Sequence, residues 1–189
     1  MVNLARSLTI GAAFASFALT ALSAPALAEK PKWANKSDST IVEFAVGASG
    51  TPNEFDTNGE DFDILVAALI ATGVVGIFDG TDYTVFAPND QAFYDLTETD
   101  NDTDAFNAVV GLIGVDGVAA VLAYHVTDGV RNSRSVVSAK RISMLDGNTI
   151  SYDRAMSLII ANQSAAGLLN IDNRLADGMV HVIDTVLLP

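Results

Sequence analysis

Apolar residues recur with a helical period through the first half of the chain and with a shorter, strand-like period through the second. An apolar run, Leu8 to Leu22, comes first, preceded by Arg6 and followed by Ala26-Leu27-Ala28. A basic start, a short apolar stretch and an A-x-A site compose a secretory signal peptide, and the run falls short of the ~20 residues a spanning helix needs. Residues 1–28 are therefore expected to be a cleaved signal peptide, 29–39 a polar, basic, proline-containing linker in which Trp33 docks the arm, and 40–189 one folded domain.

Within that domain, Thr40 and Glu43 have capping-box spacing, and Ile41, Phe44, Ala45 and Ala48 share a face, which predicts a helix over 41–48. Asp61 is placed to cap a second helix with the stripe Phe62, Leu65, Val66, Leu69 and Ile70, stopped by Gly73. The Asp79-Gly80 turn leads into a strand over Tyr83 to Phe86. Pro88 ends that strand, and Asn89 or Asp90 caps a short helix carrying Ala92, Phe93 and Leu96. An acidic loop, 97–104, precedes two helical segments, Asp104–Ile113 and Asp116–Tyr124, on either side of Gly114. Beyond Gly129 strands take over. Ile142–Leu145 and Thr149–Tyr152 flank Asp146-Gly147-Asn148 as a hairpin, and Leu158–Ala161, Leu168–Ile171 and Met179–Leu187 follow. Helices first and strands later predict an α+β fold.

Charge and cysteine usage narrow the function. Asp and Glu number 23 against 10 Lys and Arg, a formal net charge of −13. No basic cluster is present to track a phosphate backbone, which excludes nucleic acid as partner. The absence of cysteine removes thiol catalysis, thiolate zinc sites, iron–sulfur clusters and a lipidated-cysteine anchor. No second long apolar run is evident, so no transmembrane segment is expected after signal cleavage, and the destination is secreted or periplasmic.

Catalytic and metal motifs are missing. The chain lacks a G-x-S-x-G elbow, an H-E-x-x-H helix and a G-x-x-x-x-G-K-[ST] loop, and its two histidines lie far apart. The expectation is no catalytic residues, no metal site and no cofactor. Asp100-Asn101-Asp102-Thr103-Asp104 matches the first three ligands of a calcium-binding EF-hand loop. Ala105 and Gly111 then stand where the loop's glycine and bidentate glutamate belong. This loop therefore reads as a solvated acidic segment with a helix cap at Asp102 or Thr103, and Asp56-Thr57-Asn58-Gly59-Glu60 reads likewise.

Three stretches in order resemble the fasciclin-like domain family: Thr84-Val85-Phe86-Ala87-Pro88-Asn89-Asp90-Gln91-Ala92-Phe93, then Tyr124-His125-Val126, then Gly178-Met179-Val180-His181-Val182-Ile183-Asp184-Thr185-Val186-Leu187-Leu188-Pro189. The resemblance implies a β-wedge or sandwich of about seven strands with several α-helices packed around it. It further implies a non-enzymatic exported protein in cell-surface adhesion or protein–protein interaction, with a cell-surface or extracellular protein or polysaccharide as partner. The alternative it suggests is a soluble binding protein for an apolar small molecule such as a carotenoid. In the family, adhesion is tied to the Tyr124-His125 motif and the segment before the closing strand, here Asn170 to Asp177. Tyr124, His125, Asp172 and Asn173 are accordingly the expected partner-binding residues, although Asn173 stands where the integrin-binding version has isoleucine. Two readings of the Tyr124-His125 pair remain open: an exposed aromatic and donor at an interface, or a tyrosine at a helix end beside a buried, paired imidazole.

Overall fold

The computed structural model describes residues 36–49, 54–78 and 81–189. The predicted signal peptide, Trp33 and the Asp79-Gly80 turn lie outside the described residues. Where helix signals are local, the structure follows them. Helix α1 (Ile41–Ala48) opens on a complete capping box: Glu43 N–H donates to Thr40 Oγ1 (3.1 Å) and Thr40 N–H to Glu43 Oε2 (2.9 Å). Helix α2 (Asp63–Thr72) ends at Gly73, which takes φ 68°, the left-handed conformation that glycine adopts without steric cost. Helix α3 (Asp90–Thr97) is capped by Asn89, whose side chain accepts from Ala92 N–H. Helix α4 (Asp102–Tyr124) is broken at Gly114 (φ 68°, ψ 171°), giving the two segments expected there.

Asp61 does not cap α2. The capping position is Phe62, whose side chain makes no such bond, and the helix is capped from a distance by Asp90. The Asp90 carboxylate accepts from Asp63 N–H (2.8 Å) and Ile64 N–H (3.0 Å), so one acid starts α3 and closes the open end of α2. Helix α2 is also buried around nearly its whole circumference, with every residue from Asp63 to Leu69 inside, whereas Ile70, expected in its apolar stripe, is exposed.

Eight strands form two four-stranded sheets among the described residues, in keeping with the about seven expected. The first sheet has the order β2 (Val126–Asp128), β1 (Tyr83–Pro88), β8 (Gly178–Ile183) and β7 (Asn173–Leu175). Its central pair, β1 and β8, runs parallel from Tyr83 opposite Gly178 to Pro88 opposite Ile183. A Cβ at Gly178 would collide with the Tyr83 carbonyl, so the start of this pairing requires glycine. The second sheet is a meander of β3 (Ile142–Ser143), β4 (Thr149–Asp153), β5 (Leu158–Ile160) and β6 (Ala165–Gly167). The strand expected over 168–171 is displaced to β6, and Leu168 instead bridges to Ile183, joining the two sheets.

Side chains alternate across β1 and β8 and thereby divide the interior. Val85, Ala87, Val180 and Val182 meet α1, α2 and α4 in one core. Phe86 and Ile183 turn the other way, towards Tyr124, Ile142, Ile150, Ile159 and Leu187. The closing strand is therefore covered on both faces, and any polar side chain on it must find a partner inside.

Candidate functional site

The end of α4 delivers Tyr124 and His125 into the protein, where they are 0% and 3% exposed. The Tyr124 hydroxyl donates to the Thr149 carbonyl (3.2 Å) and accepts from Asn162 N–H (3.3 Å), tying the helix end to the second sheet. His125 Nε2 accepts from Leu187 N–H (2.9 Å), which leaves Nδ1 to donate to the Val121 carbonyl (2.7 Å). Burial raises the Tyr124 pKa, and it lowers that of His125 to about 4. The expected partner contact through this pair is thus corrected by the fold: both side chains are core, with their polar atoms spent on the backbone.

His181, on β8, repeats the arrangement. Its Nδ1 accepts from Asp172 N–H (3.2 Å), its Nε2 donates to the Arg131 carbonyl (2.8 Å), and its ring stacks on Phe86 with centroids 5.7 Å apart. Burial again lowers the pKa. Asp172 and Asn173, half-buried, are likewise engaged. The Asp172 carboxylate accepts from Ser133 N–H (2.6 Å) and from the Ser133 hydroxyl (2.7 Å), at the start of α5 (Ser133–Ser138). Asn173 Nδ2 donates to the Asn170 and Val180 carbonyls. Ser133, Asp172 and His181 therefore converge, yet the wiring is not that of a nucleophile. The serine proton goes to the carboxylate, and the imidazole meets the backbone of Asp172 rather than the hydroxyl. Neither histidine has a ring nitrogen free to act as a base.

Exposed apolar surface lies elsewhere, around the break in α4. Leu112 is 85% exposed, and Ile113 and Val115 flank it in the open. Beside them runs a groove of about 540 Å³ lined by Leu96, Val109, Leu112, Ile113, Val121 and Leu188. Helix α4 is long and apolar enough by length and composition to cross a membrane, although no second long apolar run is expected from the sequence. In this fold it is interrupted at Gly114 and packs on α2 and α3. The sequence pattern predicts the two helical segments but not this surface; its signal there is an apolar content greater than one buried stripe requires.

The fold and these motifs are matched by known proteins. The model of the Fasciclin domain matches residues 60–189. The chain is 30% identical over 151 residues to transforming growth factor-beta-induced protein ig-h3 of Sus scrofa, covering 79% of this chain and only 21% of that longer relative. It is 26% identical over 178 residues to protein sll1483 of Synechocystis sp., covering 94% of both. Among solved structures, a FAS1 domain pair from the insect cell adhesion molecule fasciclin I superimposes with a TM-score of 0.56. That match covers 80% of this chain and 51% of the pair at 15% identity, a likeness of fold. With more than half its length matched, with the expected α+β fold, and with all three signature segments in the framework that holds the two sheets and helices together, the chain belongs to the Fasciclin domain family.

Proposed function

We propose that this protein is an exported, non-enzymatic module, secreted or periplasmic, that acts in surface adhesion by binding a cell-surface or extracellular protein. Fasciclin domains commonly serve adhesion or protein interaction, and the observation that carries the reading here is the exposed apolar patch of Leu112, Ile113 and Val115. An exposed apolar cluster at a helix break has the composition of an interface core. The engagement of both histidines by the backbone supports a binding role over catalysis. The test is adsorption of cells, or of exported proteins from the native source, to immobilised protein. Leu112→Asp is expected to abolish binding with an unchanged melting temperature, and full binding by that variant defeats this placement of the interface.

A second reading is favoured by one feature, the groove of about 540 Å³ with its apolar lining. It has the size and character of a site for an apolar small molecule such as a carotenoid. The absorption spectrum of protein purified from its native source separates the two. A visible band that co-purifies in stoichiometric amount supports the carrier, whereas colourless protein that still adheres supports the adhesion module.

A further inference from the structure

The N-terminal ends of α2, α3 and α4 meet at a cluster of aspartates that the adhesion reading does not use. Asp61, Asp63, Asp90 and Asp102 are 7%, 2%, 0% and 0% exposed, with Asp56 above them at the surface. Both acidic loops expected to be solvated contribute. Asn101, not Asp102 or Thr103, caps α4, and Asp102 turns inward. Among the described residues no basic side chain bridges to any of these acids; the one ion pair there is Arg174–Asp82.

The hydrogen bonds divide the cluster in two. Both oxygens of Asp90 accept from backbone N–H groups of α2. Asp102 Oδ1 accepts from the Tyr94 hydroxyl (2.6 Å) and Oδ2 from Asp56 N–H (2.6 Å). These carboxylates serve as caps and struts. Asp63 differs: neither of its oxygens has a hydrogen-bond partner. Asp61 Oδ1 meets no N–H or hydroxyl donor, but Asp61 is in side-chain contact with the Asp90 carboxyl, whose pKa burial and that contact raise to about 9. Asp63, more than nine-tenths buried, therefore presents two bare oxygens beside Asp61, and such a group carries a large desolvation cost unless something neutralises it.

We propose that Asp56, Asp61 and Asp63 form a divalent-cation site, with calcium as the cation. One carboxylate oxygen from each residue lies within 4.8 Å of the other two, a spread that suits ligands each about 2.3–2.6 Å from a central calcium ion. Asp63 also lies within that reach of Asp90 and Asp102, but those two acids already accept a hydrogen bond at each oxygen, so the bare Asp63 carboxylate is left to the outer set. Donors that are all oxygen, with no histidine or cysteine among them, favour hard cations over zinc or copper. Three carboxylates drawn from a loop and a helix start favour calcium over magnesium, which keeps most of its water and takes one or two carboxylates. Exposed Asp56 gives the ion its entry, and water completes its coordination. The site stands independently of the adhesion reading.

The test uses the whole protein, stripped with EDTA and studied at pH 7 by calorimetric titration and thermal melting. Calcium chloride is expected to bind at one saturable site and raise the melting temperature, and magnesium chloride to act at least tenfold more weakly. Asp63→Asn is expected to abolish the calcium-dependent shift while melting at or above the wild type in EDTA, since it removes a buried unpartnered charge. Asp56→Asn, at an exposed position, is expected to weaken calcium at least tenfold with its EDTA melting temperature unchanged. Asp104→Asn, an exposed acid outside the set, is expected to keep the full response. Absence of a saturable calcium effect in the wild type overturns the proposal. So does a response that survives both Asp63→Asn and Asp56→Asn, because that identifies general surface screening.

Discussion

Two regions bury titratable side chains equally deeply and treat them in opposite ways. At the seam between the sheets, His125 and His181 are 3% and 0% exposed, and all four ring nitrogens have backbone partners. Where the three helix starts meet, Asp63 is 2% exposed and neither oxygen has one. Depth of burial is therefore a poor guide to role, and the partner account of each polar atom is a better one. A buried group with every atom satisfied is a fastener. One left bare destabilises the fold unless a ligand or proton supplies what is missing.

The largest expected effect strikes the seam. His125→Ala empties a site in the core and strands the Leu187 N–H and Val121 carbonyl, which lie 62 and 4 positions away in sequence. Cavity and unpaired backbone together are expected to cost roughly 3–5 kcal/mol, read from urea unfolding at pH 7. A loss below 1 kcal/mol would show that the seam is not a fastener.

Acid should open the seam as well, and the sign follows from its pKa. Unfolded histidine takes a proton near pH 6.5, whereas His125 does so only near 4, because burial opposes the charge more than the Val121 carbonyl supports it. Between those values the unfolded chain binds more protons, so stability falls as pH is lowered through the window, by about 3 kcal/mol from His125. His181 acts in the same direction. Asp63 works against them. Burial, with Asp61 next in importance, raises it from 3.8 to about 6, so its contribution is present below pH 3.8 and lost as pH rises through 6. Asp90, raised to about 9 by burial and by its contact with Asp61, acts in the same direction as Asp63. In EDTA Asp63→Asn should therefore show a steeper acid loss than the wild type from pH 4 to 6.5. Parallel profiles would mean that the two regions do not oppose each other.

Tyr124→Phe probes one fastener without emptying space. It leaves the Thr149 carbonyl and Asn162 N–H without the phenol, at an expected cost of about 1–2 kcal/mol by denaturant midpoint. Adhesion by the folded variant should be unchanged, because the hydroxyl does not reach the surface.

What the sequence disclosed about the two regions depended on the range of the interactions. Thr40 with Glu43, Gly73, Gly114 and the turn at Asp146 to Asn148 act within a few residues, and each appears in the structure as the pattern predicts. The two-residue β3 is legible through the Asp146-Gly147-Asn148 turn that follows it. Strands β2 and β7, with three residues each, and the six-residue α5 are too short to show a period and went unpredicted. The family motifs identified the fold, but the exposure of Tyr124 and His125 was set by Thr149, Asn162 and Leu187, which no local pattern joins to them. The aspartates were hidden for the same reason. Asp90 closes a helix that begins 27 positions earlier, and Asp102 binds a backbone group 46 positions away. Composition makes such acids look solvated, and only the meeting of three helix ends buries them.

Asp56→Asn is expected to have the smallest effect on stability and to separate the two regions most cleanly. Asp56 is exposed, and its side chain makes a local turn, with Oδ1 accepting from Asn58 N–H (2.6 Å). Asparagine keeps that oxygen, so the turn survives and unfolding in EDTA should change by no more than about 0.5 kcal/mol. The substitution removes charge from the proposed cation site without touching Asp90 or Asp102, which support the helices. A silent change in EDTA that becomes a deficit once calcium is present would identify a residue kept for binding. A loss above 1 kcal/mol in EDTA would mean that the acidic loop fastens the fold as the seam does, and the contrast between the regions would fail.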